Sequence, residues 1–128
     1  MRLVLDAGGV SSLAGSQAPL SQLLGRGLWP AEVSVAVLTE ALTGDHRRDF
    51  HVNRLLATCL LRDVDEQQAR EAARLRTLTG RAGTISAVDA VVAALAGVRP
   101  GSVVLTTDPK DLQALSEHTT HPVTVATV

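Results

Sequence analysis

Val103-Val104-Leu105-Thr106-Thr107-Asp108 and Leu3-Val4-Leu5-Asp6 are the stretches that decide how this chain folds. Both begin as uninterrupted apolar runs, without the alternation of a strand that has one wet face. Such runs are typical of strands in a parallel sheet covered by helices on both sides. Both stretches also end on an aspartate. In an open α/β sheet, loops and helix N-termini converge on ligands beyond the carboxyl ends of the strands. Asp6 and Asp108 therefore share one crevice, provided that their strands are neighbours.

Working outward, Glu32 to Val35 and Leu60 to Val64 read as shorter strands, and the alternating tail Val123 to Val128 as an edge strand. Helical periodicity fills the intervals: Leu20 to Arg26, Ala36 to Thr43, Arg47 to Thr58, Asp65 to Leu78, Ser86 to Ala96 and Asp111 to Glu117. Gly8-Gly9, Trp29-Pro30, Gly80 with Gly83, and Arg99-Pro100-Gly101 punctuate the pattern. Strands alternating with helices predict a doubly wound α/β domain with a mainly parallel sheet of about five strands. At 128 residues, positions 1–128 fit one such domain.

Composition narrows the function. Apolar residues at 45% and charged residues at 20% are ordinary globular usage, which excludes a disordered or fibrous chain. No apolar run approaches the roughly 18 residues of a membrane span, and Met1-Arg2 leads straight into Leu3-Val4-Leu5, so a cytoplasmic location is expected. Cys59, the single cysteine, can form no intrachain disulfide and reads as packing. The net charge of -1 excludes binding of nucleic acid by bulk attraction, so any RNA contact has to be local. Phe50 and Trp29 are the only aromatics, too few for a base-stacking platform.

Two further acids join the candidates. Asp89 lies in the first turn of the helix opened by Ser86, and Glu40 falls outside the apolar stripe Val37, Leu38, Ala41 and Leu42. Each acid has a structural reading beside the functional one. Ser86 and Asp89 have the spacing of a capping box, Asp108-Pro109-Lys110-Asp111 reads as an N-cap followed by proline, and Glu40 suits a solvated helix face. Asp6 is harder to assign to structure alone, because a charge that continues a buried strand must be desolvated, capped or ion-bound. Arg70, Arg74 and Arg81 form either a basic line for an RNA backbone or, with Asp65, Glu66 and Glu71, a solvated helix face.

These four acids, in their order and contexts, resemble the PIN-domain family, specifically the VapC-type toxins of bacterial toxin-antitoxin pairs. The resemblance rests on Leu3-Val4-Leu5-Asp6-Ala7, Val33 to Glu40, Val88 to Ala94 and Val104 to Leu112, and covers essentially the whole chain. It implies a PIN-like fold and a Mg²⁺ or Mn²⁺ site built from Asp6, Glu40, Asp89 and Asp108. It also implies endoribonuclease activity through a metal-activated water, a homodimer, and a VapB-type antitoxin that covers the cleft. Oxygen-only ligation suits these hard cations, and the histidines are not spaced for zinc. Thr106 or Thr107 offers a hydroxyl to orient water or phosphate.

Two positions depart from the family pattern: Gly8, where a hydroxyl or amide is usual, and Ser86, where relatives often carry an acid. An alternative function is accordingly a catalytically degenerate domain that binds RNA or a partner without cutting. A third is a receiver-like domain phosphorylated at Asp63 or Asp65.

Overall fold

The computed structural model describes all 128 residues. Its strands are β1 (Arg2–Leu5), β2 (Glu32–Ser34), β3 (Leu60–Arg62), β4 (Ser102–Thr106) and β5 (Val123–Thr127). They form one sheet in the order β3-β2-β1-β4-β5, with every neighbouring pair parallel. Its helices are α1 (Ala7–Gly15), α2 (Gln17–Gly25), α3 (Leu38–Ala41), α4 (Phe50–Leu56), α5 (Glu66–Leu78), α6 (Ala87–Gly97) and α7 (Pro109–Ser116). The doubly wound architecture expected from the sequence is the one observed, with β5 on an edge. No helix is long and apolar enough to cross a membrane.

The core forms where the apolar runs meet. Leu3, Val4, Leu5, Val33 and Val104 from the strands pack with Val10, Leu13, Val92, Leu95 and Leu112 from the helices. A smaller cluster, with Ala72, Leu75, Ile85, Ala90 and Leu115, holds α5, α6 and α7 together. Cys59 packs against the larger cluster, and burial pushes its thiol up to about 11, as its reading as packing requires. Trp29 likewise lies against this core, its indole N–H donating to the Thr58 carbonyl at 3.1 Å.

The order of the strands locates the crevice. From β1 the chain adds β2 and β3 on one side, then returns to place β4 on the other, so the switch point lies between β1 and β4. Their register sets Leu5 opposite Leu105, which brings Asp6 and Thr106 side by side at the carboxyl rim. The receiver-like reading fails here. A receiver places its third strand next to its first, whereas β3 is an edge strand and Asp65 caps α5 by accepting the Gln68 N–H at 2.7 Å.

Helix α1 was not expected, because Gly8-Gly9 reads as a turn. The glycines instead lie in the first turn of the helix, pressed against the end of β4. A Cβ on Gly9 would stand 2.5 Å from the Leu105 carbonyl oxygen, and one on Gly8 would run into Thr107 Oγ. Glycine serves here as the absence of a side chain. Strand β2 also ends before Val35, because the Ser34 hydroxyl accepts the Ala36 N–H at 3.2 Å and starts the 3₁₀ turn Val35–Val37. The helix expected over Ala36 to Thr43 is therefore this turn plus the four residues of α3. Helix α4 starts at Phe50 rather than Arg47 because buried Asp49 accepts N–H bonds from Thr43 and Gly44, each at 2.9 Å, and holds a turn.

A buried charge group ties β1, β2 and β3 together. The Glu32 carboxylate takes Arg2 Nε at 2.8 Å and Nη2 at 3.1 Å, and Arg62 Nε at 2.8 Å. Burial, the largest influence on this carboxyl, pushes its pKa up, but the two guanidiniums together hold it below the usual glutamate value.

Breaking a buried pair costs about 3–5 kcal/mol when nothing replaces the lost partner. Since Arg62 remains, Arg2→Met should cost about 2 kcal/mol by urea denaturation; a loss within about 0.5 kcal/mol, normal for surface changes, would show the pair to be unimportant. Gly9→Ala should cost a further kind of strain, about 2–3 kcal/mol, because the carbonyl it meets belongs to a strand that cannot yield. An unchanged melting temperature for that variant would contradict the tight approach of α1 to β4.

Candidate active site

At the carboxyl rim of β1 and β4 the acids are held in different ways. Asp6 is the N-cap of α1 and is buried, its Oδ1 accepting the Gly9 N–H at 2.7 Å. Its Oδ2 accepts the Thr106 hydroxyl at 2.5 Å. That hydroxyl in turn accepts the Asp108 N–H at 3.0 Å, so one buried side chain fixes both the Asp6 carboxylate and the backbone of Asp108. Thr106 is thus committed to protein groups rather than to water or phosphate, while Thr107 carries its hydroxyl over Gly8.

Asp89 lies at the start of α6, where its N–H donates to the Ser86 hydroxyl at 3.0 Å. The cap expected from the sequence is made by the Ser86 hydroxyl, which takes the Asp89 N–H. Its carboxyl is pushed up to about 6, first by burial, then by the negative charges of Asp6 and Glu40 and, more weakly, Asp111, against a smaller lowering from Ser86. Asp6 and Glu40 thus stand close enough to Asp89 for their charges to be felt there, although no three acids converge on one point. Asp108 has no such effect on Asp89. Its side chain is exposed and, although Asp108 is the N-cap of α7, makes no capping hydrogen bond.

None of the four acids pairs with a cation. The ion pairs of the chain join Glu32 to Arg2 and Arg62, Glu66 to Arg70, Glu71 to Arg74, and Asp111 to Arg81. Arg70 and Arg74 thus belong to the solvated face of α5, and Arg81 separates from them. Asp111, at N3 of α7, stands one turn after Asp108 and adds weakly to the charge felt at Asp89. A cavity of about 530 Å³ lies elsewhere, between α5, the last turn of α6 and Thr119-Thr120.

As a metal site, the group has the right donors and an uncompensated negative charge, which a hard divalent cation relieves. No three carboxylates stand close enough to grip one ion by themselves. An ion that keeps several of its waters, as Mg²⁺ does, needs only one or two direct carboxylate ligands, so the residues present fit a hydrated ion.

Comparison with solved structures places this fold. The chain is similar to a chain of DNA-bound VapBC from Salmonella typhimurium, at 18% identity and a TM-score of 0.74 over 99% of this chain and 98% of that one. It is similar to VapBC2 from Rickettsia felis bound to a promoter DNA fragment, at 16% identity and a TM-score of 0.71 over 100% and 99%. PAE2754 from Pyrobaculum aerophilum follows at 16% identity and 0.65, over 97% and 83%. The fold is thus the PIN-like one of VapC-type proteins that the sequence resemblance implied. No family model matches the sequence, and no curated protein does so.

Burial of Asp89, reinforced by the neighbouring acids, makes stability depend on pH. The folded pKa of about 6 lies above the reference 3.8, so between these values the folded chain holds its proton more tightly. Stability from this group is therefore lost as pH rises through that window. One pKa unit corresponds to about 1.4 kcal/mol, and solvent screening of a half-exposed carboxyl leaves about 1–2 kcal/mol of the two-unit shift. Asp89→Asn without divalent metal should raise the melting temperature by roughly 3–6 °C at pH 7.5 and by almost nothing near pH 3.5. A variant less stable than the parent at pH 7.5 would mean that the carboxylate supports the fold.

Proposed function

We propose that this chain is a metal-dependent endoribonuclease of the VapC type, the toxin of a toxin-antitoxin pair. The observation that carries the reading is the set of carboxylates without counter-cations, Asp6, Glu40 and Asp89 with Asp108 beside them, at the switch point of a PIN-like sheet. Asp6 and Asp89 would be the principal holders of Mg²⁺ or Mn²⁺, with the exposed Glu40 and Asp108 completing the site. Held there, such a cation would lower the pKa of water and offset charge on the phosphodiester.

The protein's own contribution is position. Gly9 N–H and Thr106 Oγ engage one oxygen each of Asp6 and fix its orientation, leaving the remaining lone pairs for an ion. The half-buried Asp89, with its raised pKa, gains most from a nearby cation. Similarity to chains of VapBC complexes supports an antitoxin partner and, with the family resemblance, a cytoplasmic homodimer.

One observation favours the degenerate alternative, a domain that binds RNA or a partner without cutting: no three acids converge. Gly8, the other feature that suggested it, has a packing cause in Thr107.

Purified chain incubated with structured RNA and Mn²⁺ should cleave it, and EDTA should abolish cleavage. Asp6→Asn and Asp89→Asn should each lower the rate by about 100-fold or more, at or beyond the cost of losing an outer-shell partner. Asp108→Asn tests whether the exposed acid joins the site. Cleavage that survives both EDTA and Asp6→Asn would sink the proposal, whereas RNA binding without any cleavage would establish the alternative.

A further inference from the structure

Arg81 lies in the connection between α5 and α6, and its Nη2 donates to Asp111 Oδ1 at 2.7 Å across to the first turn of α7. This is the only hydrogen bond made by its side chain, which is 38% exposed. Among the other internally held arginines, Arg62 also makes a single bond, but to Glu32 on the sheet and away from the acids, and the rest differ. Arg2 uses its guanidinium on Glu32, Ser102 and two carbonyls. Arg74 grips Glu71 with two nitrogens, and Arg76 spans the Ile85 and Ala82 carbonyls. A guanidinium carries five N–H donors in a planar fork, so Arg81 is oriented by one bond and keeps most of its donors free.

Its place matters more than its count of donors. Asp111 lies in the first turn of α7, three residues after Asp108, whose backbone N–H is held by the same Thr106 hydroxyl that donates to Asp6. The guanidinium that Asp111 holds is therefore at the border of the acid group. No other arginine is ion-paired to an acid of that group: Arg70 and Arg74 are tied to acids of α5, and Lys110 is exposed without an ion pair.

The geometry points to Arg81 as the residue that binds a non-bridging phosphate oxygen of the RNA backbone next to the acids, with Asp111 as its positioning residue. The assignment rests on the nuclease reading above and adds to it a residue outside the carboxylate set. A polyanion approaching a rim of carboxylates without counter-cations needs a fixed positive group to enter in register, and a planar fork suits phosphate oxygens. Because Asp111 already orders the side chain, less conformational entropy is lost on binding than for a free surface lysine.

The test is fluorescence anisotropy of a short labelled single-stranded RNA of mixed sequence, in EDTA so that nothing is cut, over about 50–200 mM KCl. Arg81→Gln should weaken binding roughly tenfold, as loss of a charged hydrogen bond does. It should also flatten the slope of log K against log salt by about 0.7, the value of one single-strand phosphate. Arg81→Lys should keep the slope, and Arg70→Gln should leave it unchanged. In the parent chain, RNA should protect Arg81, and not Arg70, from phenylglyoxal, a readout that needs no variant to fold.

An unchanged slope in a folded Arg81→Gln, or equal labelling of Arg81 with and without RNA, would overturn the assignment. So would unmeasurable binding by the parent chain. Cleavage in Mn²⁺ by the same preparation would then leave the nuclease reading standing, and its absence would remove both.

Discussion

One short contact, Thr106 Oγ on Asp6 Oδ2 at 2.5 Å, joins the sheet to everything that happens at its rim. It exists because β1 and β4 pair in register, so the residues that follow Leu5 and precede Thr107 meet. With Thr106 below it, Asp6 can turn its other oxygen to the Gly9 N–H, which places the first turn of α1 directly on the end of β4. That closeness is what requires glycine at positions 8 and 9. Thr106 also holds the Asp108 N–H, so the same buried hydroxyl sets where α7 begins. Strand pairing, two helix starts and the candidate site are one constraint seen from different residues.

The acids of the chain divide according to what neutralises them. Glu32, Glu66, Glu71 and Asp111 take an arginine, while Asp45, Asp49 and Asp65 take backbone N–H groups in turns and caps. Asp6 takes one N–H and one hydroxyl, and Asp89, Glu40 and Asp108 take no cation, nor do Asp63 and Glu117 away from the rim. Glu32 is the informative contrast, since the fold surrounds that buried carboxylate with two guanidiniums on its own sheet. Partners of this kind were available to the chain, yet the switch point lacks them. Groups poised for chemistry often cost stability, and the raised pKa of Asp89 is the local sign of that cost.

Much of this was legible in the sequence, and the remainder was not for identifiable reasons. Continuous apolar runs gave β1 and β4 and put an acid at the end of each, because burial on both faces of a sheet leaves a one-dimensional signature. The cap at Ser86 was legible for the same reason, being local. Helix α1 was hidden because glycine is read for its backbone freedom, whereas Gly8 and Gly9 serve the approach of a strand about a hundred residues later in the chain. Arg81 with Asp111, and Arg2 with Glu32, are each separated by 30 residues. No periodicity links residues so far apart. The sequence also could not reveal that Asp108 faces solvent while Asp6 is buried, since both follow an apolar strand.

That difference in burial shapes the chemistry the rim can support. Asp6 is fixed by two hydrogen bonds and Asp89 by the helix it starts, whereas Glu40 and Asp108 are exposed and free to adjust. A site with a rigid inner part and a mobile outer part suits an ion that keeps its water and meets its substrate through phosphate oxygens. It is less suited to a cage that closes around the metal. The overall charge of -1 gives the molecule no field to collect a polyanion. On the proposed nuclease reading, an RNA strand at such a rim would be oriented by cations already in place, and Arg81, paired with Asp111 in the first turn of α7, is one.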